Sequence, residues 1–221
     1  MSLSAIAWDI DGTLVDSEPL HHVALLAASR RWDVDLSELD PETFRGVHMH
    51  DVWTALAPRF PAALTRERWM GAIDEHYGAE AAGLKPLLGV LDAIRSFAGA
   101  GLVQVCVSNS NRRIVDANLA ALGIADLIAF SISFDDVTRG KPDPEPYRLA
   151  CQRLALAPSQ VLAVEDSQTG LRSARAAGLQ TAAFVPDIAD PLTVDFSFSR
   201  YDELVGWVTG GGRAAQRHAD G

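Results

Sequence analysis

The sequence predicts an α/β protein in which a parallel sheet, with helices on both faces, is interrupted by an all-helical insertion. From residue 84 onwards, short apolar stretches typical of buried strands alternate with stretches that have the apolar spacing of helices. Another strand-like stretch, residues 6–8, lies near the N-terminus, and the segment between the two parts is helical in character. We therefore expect an α/β core of residues 1–16 and 84–209 with a helical cap of residues 17–83 inserted in it.

The insertion contains several helical stretches. Pro19 suits the first turn of a helix over residues 19–31. Apolar residues at helical spacing indicate further helices over residues 43–57 and 64–77. Because the insertion leaves the core beside the end of the first strand, we expect it to cover that strand end like a lid.

The core resumes with alternating helices and strands. Gly101, Gly123 and Gly178 are expected to end three of its helices, and Asp143 to cap the start of another. Residues 210–221 contain three consecutive glycines followed by small and charged residues, and we expect this tail to be disordered. Helices are predicted at residues 86–100, 112–122, 144–154 and 169–177, and strands at residues 103–107, 127–131, 161–164 and 181–185.

Composition excludes several classes of protein. The 221 residues are 48% hydrophobic and 22% charged, as in a packed soluble protein, and no apolar run reaches the roughly 18 residues of a membrane span. The net charge of -10 disfavours nucleic-acid or anionic-membrane partners, which require a basic face. Cys106 and Cys151 lie in apolar and helical patterns and are expected to be core residues. With no secretory signal visible, a cytoplasmic location is expected.

Two carboxylates follow the first strand. Asp9 and Asp11 are one residue apart and precede a tight turn at Gly12. In open α/β sheets, ligands bind at the carboxyl ends of the strands. Such close carboxylates repel each other unless a cation or a shared proton intervenes, so the pair suggests a hard-cation site with oxygen ligands. The alternative is that the pair caps the following helix.

Polar residues also follow the next three strands. Ser108 opens a stretch, residues 108–111, whose hydroxyl and backbone N–H groups could hold an anion or cap the next helix. Lys141 is held between a glycine and a proline before a helix, unlike an ordinary solvated lysine. Glu165 and Asp166 follow the fourth strand, and helix capping explains only one of them. Because parallel strands end at one edge, these residues are expected to face one cleft.

The four motifs resemble those of the haloacid dehalogenase superfamily of phosphotransferases. The matching residues are Asp9-Ile10-Asp11-Gly12-Thr13, Ser108, Lys141 and Glu165-Asp166, in the same order and with similar spacing. The likeness is greatest to the subgroup with a helical (C1) cap that contains β-phosphoglucomutase and small sugar-phosphate phosphatases. The resemblance implies a Rossmann-like three-layer core and transfer of a phosphoryl group.

The resemblance also implies how the acidic residues act. Asp9 would be the nucleophile that forms an aspartyl-phosphate, and Asp11 the general acid that protonates the leaving oxygen and then activates water. Mg²⁺ would be held by the Asp9 side chain, the Asp11 backbone carbonyl and Asp166, with Glu165 as a ligand or directly behind one.

Further residues would bind the substrate. Ser108 and the N–H of Asn109 would hold phosphoryl oxygens, and Lys141 would pair with both the nucleophile and the phosphate. In the cap, Arg45 beside Gly46 suits a carboxylate or a second phosphate; the alternative is a solvated helix face. The remaining predicted contacts in the cap are His48 and His21, the latter near the hinge.

The sequence thus predicts a Mg²⁺-dependent phosphatase for a small phosphorylated sugar or sugar acid, active as a monomer or weak dimer. Met49 stands where β-phosphoglucomutase-like sequences carry an arginine, which favours hydrolysis over the mutase reaction. An intramolecular phosphomutase remains the first alternative, since His21 matches a histidine of that mutase. A phospho-accepting signalling domain is disfavoured because the insertion would cover the site.

Overall fold

Six parallel strands form one sheet in the computed structural model, which describes residues 3–44, 49–184 and 194–210, apart from the side chains of residues 41, 42 and 50. The strand order is β3-β2-β1-β4-β5-β6. The strands are β1 (Ala5–Trp8), β2 (Val103–Val107), β3 (Ser131–Ile132), β4 (Val161–Glu165), β5 (Gln180–Phe184) and β6 (Phe196–Phe198).

Helices cover both faces of this sheet. Successive side chains of β1 point to opposite faces: Ile6 and Trp8 join one hydrophobic cluster, and Ala5 and Ala7 another. The sheet is therefore the middle of three layers, and this arrangement confirms the predicted fold class. The helices are α1 (Glu18–Arg30), α2 (Met49–Leu56), α3 (Arg66–Glu80), α4 (Val90–Gly99), α5 (Arg112–Leu122), α6 (Glu145–Leu154), α7 (Gln168–Ala177) and α8 (Tyr201–Thr209).

Helices α1, α2 and α3 and their connections, here called the cap, have a hydrophobic cluster of their own. Trp69 and Tyr77 of α3 are fully buried in it, together with Ala24 and Ala28 of α1. One residue of the core, Ile114 of α5, also belongs to this cluster. The cap therefore packs against the core through α5.

The two chain crossings between core and cap lie side by side. Val15 forms an antiparallel bridge with Pro86, and the N–H of Leu87 donates to the carbonyl oxygen of Leu14 at 2.9 Å. The cap thus begins and ends next to the carboxyl end of β1.

Several predicted element boundaries were wrong. The strand predicted at 127–131 is reduced to β3, because a 3₁₀ turn at Ala125–Leu127 occupies its beginning. The helix predicted at 43–57 is a 3₁₀ turn at Pro41–Phe44 followed by α2. The helix predicted from residue 86 begins at Val90, because Gly89 is left-handed with φ 86°.

Two elements after β5 were missed, namely β6 and α8.

The N-caps also differ from expectation. Asn111 caps α5, accepting from Ile114 N at 3.1 Å, and Pro144 holds the N-cap position of α6, although Asp143 Oδ1 still accepts from Glu145 N at 2.9 Å. The predicted disordered tail lies outside the described residues from residue 211 onwards.

The two cysteines are free and buried, as predicted. Among the helices of the described ranges, none combines the length and apolar character needed to cross a bilayer.

Candidate active site

Asp9 directly follows β1, and its buried carboxylate is held on both oxygens. Its backbone N–H continues the sheet pairing by donating to the carbonyl oxygen of Val164 at 2.9 Å. Oδ1 accepts from Nζ of Lys141 at 2.7 Å, and Oδ2 accepts from Oγ1 of Thr13 at 3.1 Å. The carboxylate therefore has a fixed orientation at the central strand end.

Lys141 reaches Asp9 from the loop between β3 and α6. Its buried ammonium group donates to three acceptors: Asp9, Oε1 of Glu165 at 2.5 Å and the carbonyl oxygen of Val107 at 2.8 Å. Burial alone would lower the pKa of Lys141, but the two carboxylates outweigh it and hold this pKa above its ordinary value. The two carboxylates therefore favour the charged form of Lys141 beside Asp9.

Asn109 fixes the backbone of this lysine. Its Oδ1 accepts from the N–H of Lys141 at 2.8 Å, and its Nδ2 donates to the carbonyl oxygen of the same residue at 3.1 Å. The side chain of Asn109 thus clamps the lysine loop to the end of β2. This contact was not part of the sequence prediction, which concerned its backbone N–H.

Glu165, the last residue of β4, is completely buried behind Lys141. Besides the lysine, it accepts hydrogen bonds from the hydroxyl of Tyr147 and from Oγ of Ser167, the latter at 3.3 Å. A Cβ at Gly170 would overlap the Glu165 carboxylate. The glycine on α7 therefore leaves the room that this buried acid occupies.

Asp166 completes a group of three carboxylates. One oxygen each of Asp9, Glu165 and Asp166 lies within 4.8 Å of the others. A Cβ at Gly12 would overlap the Asp166 side chain, so the turn at Gly12, with φ 79°, brings this acid close to the backbone. Burial raises the pKa of Asp166 to about 7, and the neighbouring Asp9 adds to the effect.

The charge of this group is only partly balanced. Burial also raises the pKa of Asp9 to about 7, despite the opposing effect of Lys141 and with further contributions from Glu165 and Asp11. Carboxylate oxygens that lie this close together repel one another when ionised, and a hard divalent cation bound between them would offset that repulsion. The residues present therefore fit a Mg²⁺ ion.

Asp11 is surrounded by hydrogen-bond donors. Burial opposes its ionisation, but contacts with His21 and the serine hydroxyls outweigh this and hold the pKa of Asp11 well below its ordinary value. The donors on Oδ1 are Ser17 Oγ at 2.6 Å, Asn118 Nδ2 at 3.0 Å and His21 Nε2 at 3.4 Å; those on Oδ2 are Ser110 Oγ at 2.8 Å and Ser108 Oγ at 3.3 Å.

A cavity of about 690 Å³ separates the strand ends from the cap. Among the residues that the structure describes, four apolar side chains line its cap side, and Glu18, His21 and Asp74 are the charged or titratable ones there. The apolar set is Phe44, Met49, Met70 and Ile73, and the strand side carries Asp9, Asp11, Ser108, Lys141 and Asp166. The cavity is large enough for a small phosphorylated metabolite.

The structure brings most of the predicted residues to this cavity or directly behind it. The eight that it brings together are Asp9, Asp11, His21, Ser108, Asn109, Lys141, Glu165 and Asp166. Three predicted cap residues, Arg45, Gly46 and His48, lie outside the described residues.

Sequence reasoning missed the partners that hold these groups. Ser17, Tyr147 and Asn118 lie on helices or at a helix start, where their residue types have ordinary structural uses. Only the position of Tyr147, in the first turn of α6 and six residues after Lys141, hints at its role. Nothing in the sequence pattern singles out Asn118.

The protein thus combines a Rossmann-like core, a helical cap and an acidic cluster at the carboxyl ends of the strands. The sequence matches the family described as haloacid dehalogenase-like hydrolase over residues 3–178. It is 32% identical over 190 residues to N-acetylmuramic acid 6-phosphate phosphatase from Pseudomonas aeruginosa, covering 83% of this chain and 82% of the relative. It is 28% identical to phosphoglycolate phosphatase from Thiobacillus denitrificans, covering 80% and 81% of the two chains.

Solved structures agree with this assignment. CbbY from Rhodobacter sphaeroides in complex with phosphate superposes with a TM-score of 0.82 and 26% identity, covering 91% of this chain and 96% of that one. The chain therefore belongs to the haloacid dehalogenase-like hydrolases. The predicted enzyme class, a phosphoric monoester hydrolase, is confirmed by the named relatives.

Proposed function

We propose that this protein is a Mg²⁺-dependent phosphatase that hydrolyses a small phosphorylated sugar or sugar acid through an aspartyl-phosphate intermediate. The observation that carries the proposal is the buried contact of Lys141 with Asp9, at 2.7 Å, inside a cavity that the cap covers. Relatives named for N-acetylmuramic acid 6-phosphate and phosphoglycolate support a substrate of this kind.

Asp9 is the nucleophile. Lys141 and Thr13 orient its carboxylate, and attack on phosphorus forms the aspartyl-phosphate while the substrate oxygen leaves. The lysine also offsets the charge of the incoming phosphate, which three carboxylates would otherwise repel. In the ionised form that its donors favour, Asp11 removes a proton from the water that hydrolyses the intermediate. To protonate the departing oxygen, Asp11 first takes up a proton from solvent, which the negative charge of the bound substrate phosphate favours.

Two carboxylates, Asp9 and Asp166, and the backbone carbonyl of Asp11 would hold the Mg²⁺ ion. The ion supplies positive charge for the phosphoryl oxygens when bound. Glu165 differs from these acids because Lys141, Tyr147 and Ser167 already donate to it. We assign it to holding the lysine rather than the metal.

Phosphate release from a panel of sugar phosphates and sugar-acid phosphates tests this proposal. Asp9→Asn is expected to be inactive with every substrate, whereas Asp126→Asn, which alters an exposed aspartate in the turn before β3 that does not line the cavity, keeps full activity. Chelation of divalent cations should silence the wild type. Dependence on an added sugar bisphosphate, without net phosphate release, would instead indicate the mutase. Turnover that survives both Asp9→Asn and chelation would refute the proposal.

Metal binding has a second readout. A ligand that binds only the folded state stabilises it by about 2.7 kcal/mol at a hundred times its Kd. Adding Mg²⁺ should therefore raise the melting temperature of the wild type, and this increase should disappear in Asp166→Asn. An undiminished increase in the variant would place the ion elsewhere.

A further inference from the structure

We propose that Asn118 is a positioning residue that links docking of the cap, through Tyr77, to the orientation of Asp11. This inference rests on the proposed function, because it concerns the residue assigned there as general acid and base. It assigns a role in the reaction to two residues that are neither metal ligands nor nucleophiles.

Asn118 uses its two amide atoms in different directions. On α5, this completely buried side chain accepts from the hydroxyl of Tyr77 through Oδ1 at 2.7 Å and donates to Oδ1 of Asp11 through Nδ2 at 3.0 Å. Tyr77 belongs to α3 of the cap and is also completely buried. The side-chain amide of Asn118 therefore connects the cap to the carboxylate of Asp11, the group that transfers the proton.

The packing of α3 against α5 sets this contact. Asn111, Ile114 and Asn118 follow one another along one face of α5 at helical spacing. Nδ2 of Asn111 donates to Oδ1 of Asp74 on α3 at 2.8 Å, and Ile114 enters the hydrophobic cluster of the cap. Two polar contacts thus flank an apolar one, and a shift of α3 along α5 would break both.

Asp11 depends on the cap for several of its contacts. His21, on α1 of the cap, lies 3.4 Å from Asp11, and its ring packs against the ring of Tyr77 with centroids 4.6 Å apart. Tyr77 therefore supports two of the groups that contact Oδ1 of Asp11. If the cap separates from the core, Asn118 loses the partner that fixes its amide and Oδ1 of Asp11 loses His21, whereas Ser108 and Ser110 still hold Oδ2. The carboxylate is then free to rotate away from the orientation needed for proton transfer.

A purely structural role makes a different prediction. If the Tyr77–Asn118 hydrogen bond only stabilised the packing of the cap, its removal would slow all substrates alike or none. If the hydrogen bond positions the general acid, its removal should lower kcat/KM most for substrates whose leaving oxygen must be protonated. Phenyl phosphate has a basic leaving group that needs one, whereas 4-nitrophenyl phosphate releases a stable anion that does not.

The experiment compares kcat/KM for these two aryl phosphates in the wild type, Tyr77→Phe and Asn118→Leu. Tyr77→Phe removes only the hydroxyl and keeps the ring against His21. We expect about a tenfold loss with phenyl phosphate, a small part of the factor that general acids contribute, and a change within about twofold with 4-nitrophenyl phosphate.

Ser29→Ala is the matched control. It removes a buried hydrogen bond inside the cap, in which Nε1 of Trp69 donates to Ser29 Oγ at 3.1 Å; the hydroxyl itself donates to the carbonyl oxygen of Leu25 at 2.8 Å, so both hydrogen bonds lie within the cap. Its melting temperature should fall, while the ratio of the two kcat/KM values stays that of the wild type. Asn118→Leu should reproduce the effect of Tyr77→Phe on this ratio.

Equal losses with both substrates in Tyr77→Phe, or no loss, would overturn the inference even if Asn118→Leu fails to fold. A different result would contradict the proposed function, namely an Asp9→Asn variant that remains active. An inactive Asp9→Asn together with an unchanged substrate ratio in Tyr77→Phe would reject the role of Asn118 and retain the phosphatase.

Discussion

The ammonium group of Lys141 and the carboxylate of Asp9 form a buried ion pair with a distance of 2.7 Å, although 132 positions separate them in the chain. The sheet order explains this proximity. β1 lies in the centre between β2 and β4, and all strands run parallel, so the loops that follow them meet at one edge. The contact forms only when the core is complete.

Replacing this lysine should affect stability as well as activity. Lys141→Met leaves Asp9 and Glu165 buried without their cation, and losing one partner of a buried pair costs about 3–5 kcal/mol. We expect the free energy of unfolding, measured in urea at pH 7, to fall by about that amount, and phosphatase activity to vanish. Lys85→Met, at an exposed lysine, is the control and should change neither quantity. A Lys141→Met protein of wild-type stability would contradict the buried pair.

Gly170→Ala tests the space behind Glu165. Alanine normally stabilises a helix interior relative to glycine by about 1 kcal/mol, but here its Cβ would overlap the Glu165 carboxylate. We expect destabilisation and loss of activity, because the displaced acid no longer holds Lys141. Gly206→Ala on α8 is the matched control: apart from its chain neighbours and the backbone of its own helix, no heavy atom of the described residues lies within 4 Å of the added Cβ, so it should gain stability at full activity. If both variants behaved alike in thermal unfolding and turnover, the buried position of Glu165 would be wrong.

Asp136 should stabilise the protein in a pH-dependent way. Burial opposes its ionisation, but the backbone N–H and hydroxyl of Ser133, each at 2.8 Å, and Arg112 at 2.6 Å lower the pKa of Asp136 from 3.8 to about 2. A carboxyl group with a lowered pKa adds stability above its unfolded pKa and loses it as the pH falls towards its folded one. Asp136→Asn should therefore cost about 2 kcal/mol at pH 7.

The same comparison at lower pH identifies the cause. The difference between wild type and Asp136→Asn should shrink as the pH falls from about 4 to about 2 in urea unfolding. Asp116→Asn removes another partner of Arg112, at 3.1 Å, but this side chain is 62% exposed, so its effect should stay below about 1 kcal/mol at every pH. A pH-independent loss in Asp136→Asn would point to packing rather than charge.

The parts of the fold that sequence could predict are those with strong local patterns. β1, β2 and β4 are mainly apolar and, apart from the exposed Val103, buried on both faces, and polar residues stand at or just after their ends, where parallel strands meet one edge of the sheet. β3 and β6 have two and three residues, too few for a periodic signal to emerge. The helix α8 after β6 went unpredicted as well.

The residues of the site likewise fall into those that the sequence could identify and those that it could not. Asp9 and Asp11 could be identified because two acids at a strand end are unusual on their own. Tyr147 and Asn118 could not, because their partners, Glu165 and Asp11, lie 18 and 107 positions away and only the folded chain brings them together. A buried tyrosine or asparagine on a helix looks the same in sequence whether it holds a reactive group or fills space.

The bridge between Val15 and Pro86 places the two ends of the cap side by side, so that the cap could be replaced as one segment. Since the polypeptide leaves and re-enters the sheet domain at adjacent points, a foreign helical graft with equally close ends could replace residues 17–83 without altering the strand spacing around Asp9. We expect substrate preference to change with such a graft, and the phosphoryl chemistry to be kept if the graft retains Ser17, His21 and Tyr77, which contact Asp11 or Asn118. Substrate selectivity could then be changed by replacing the whole cap, while the nucleophile in the core stays the same.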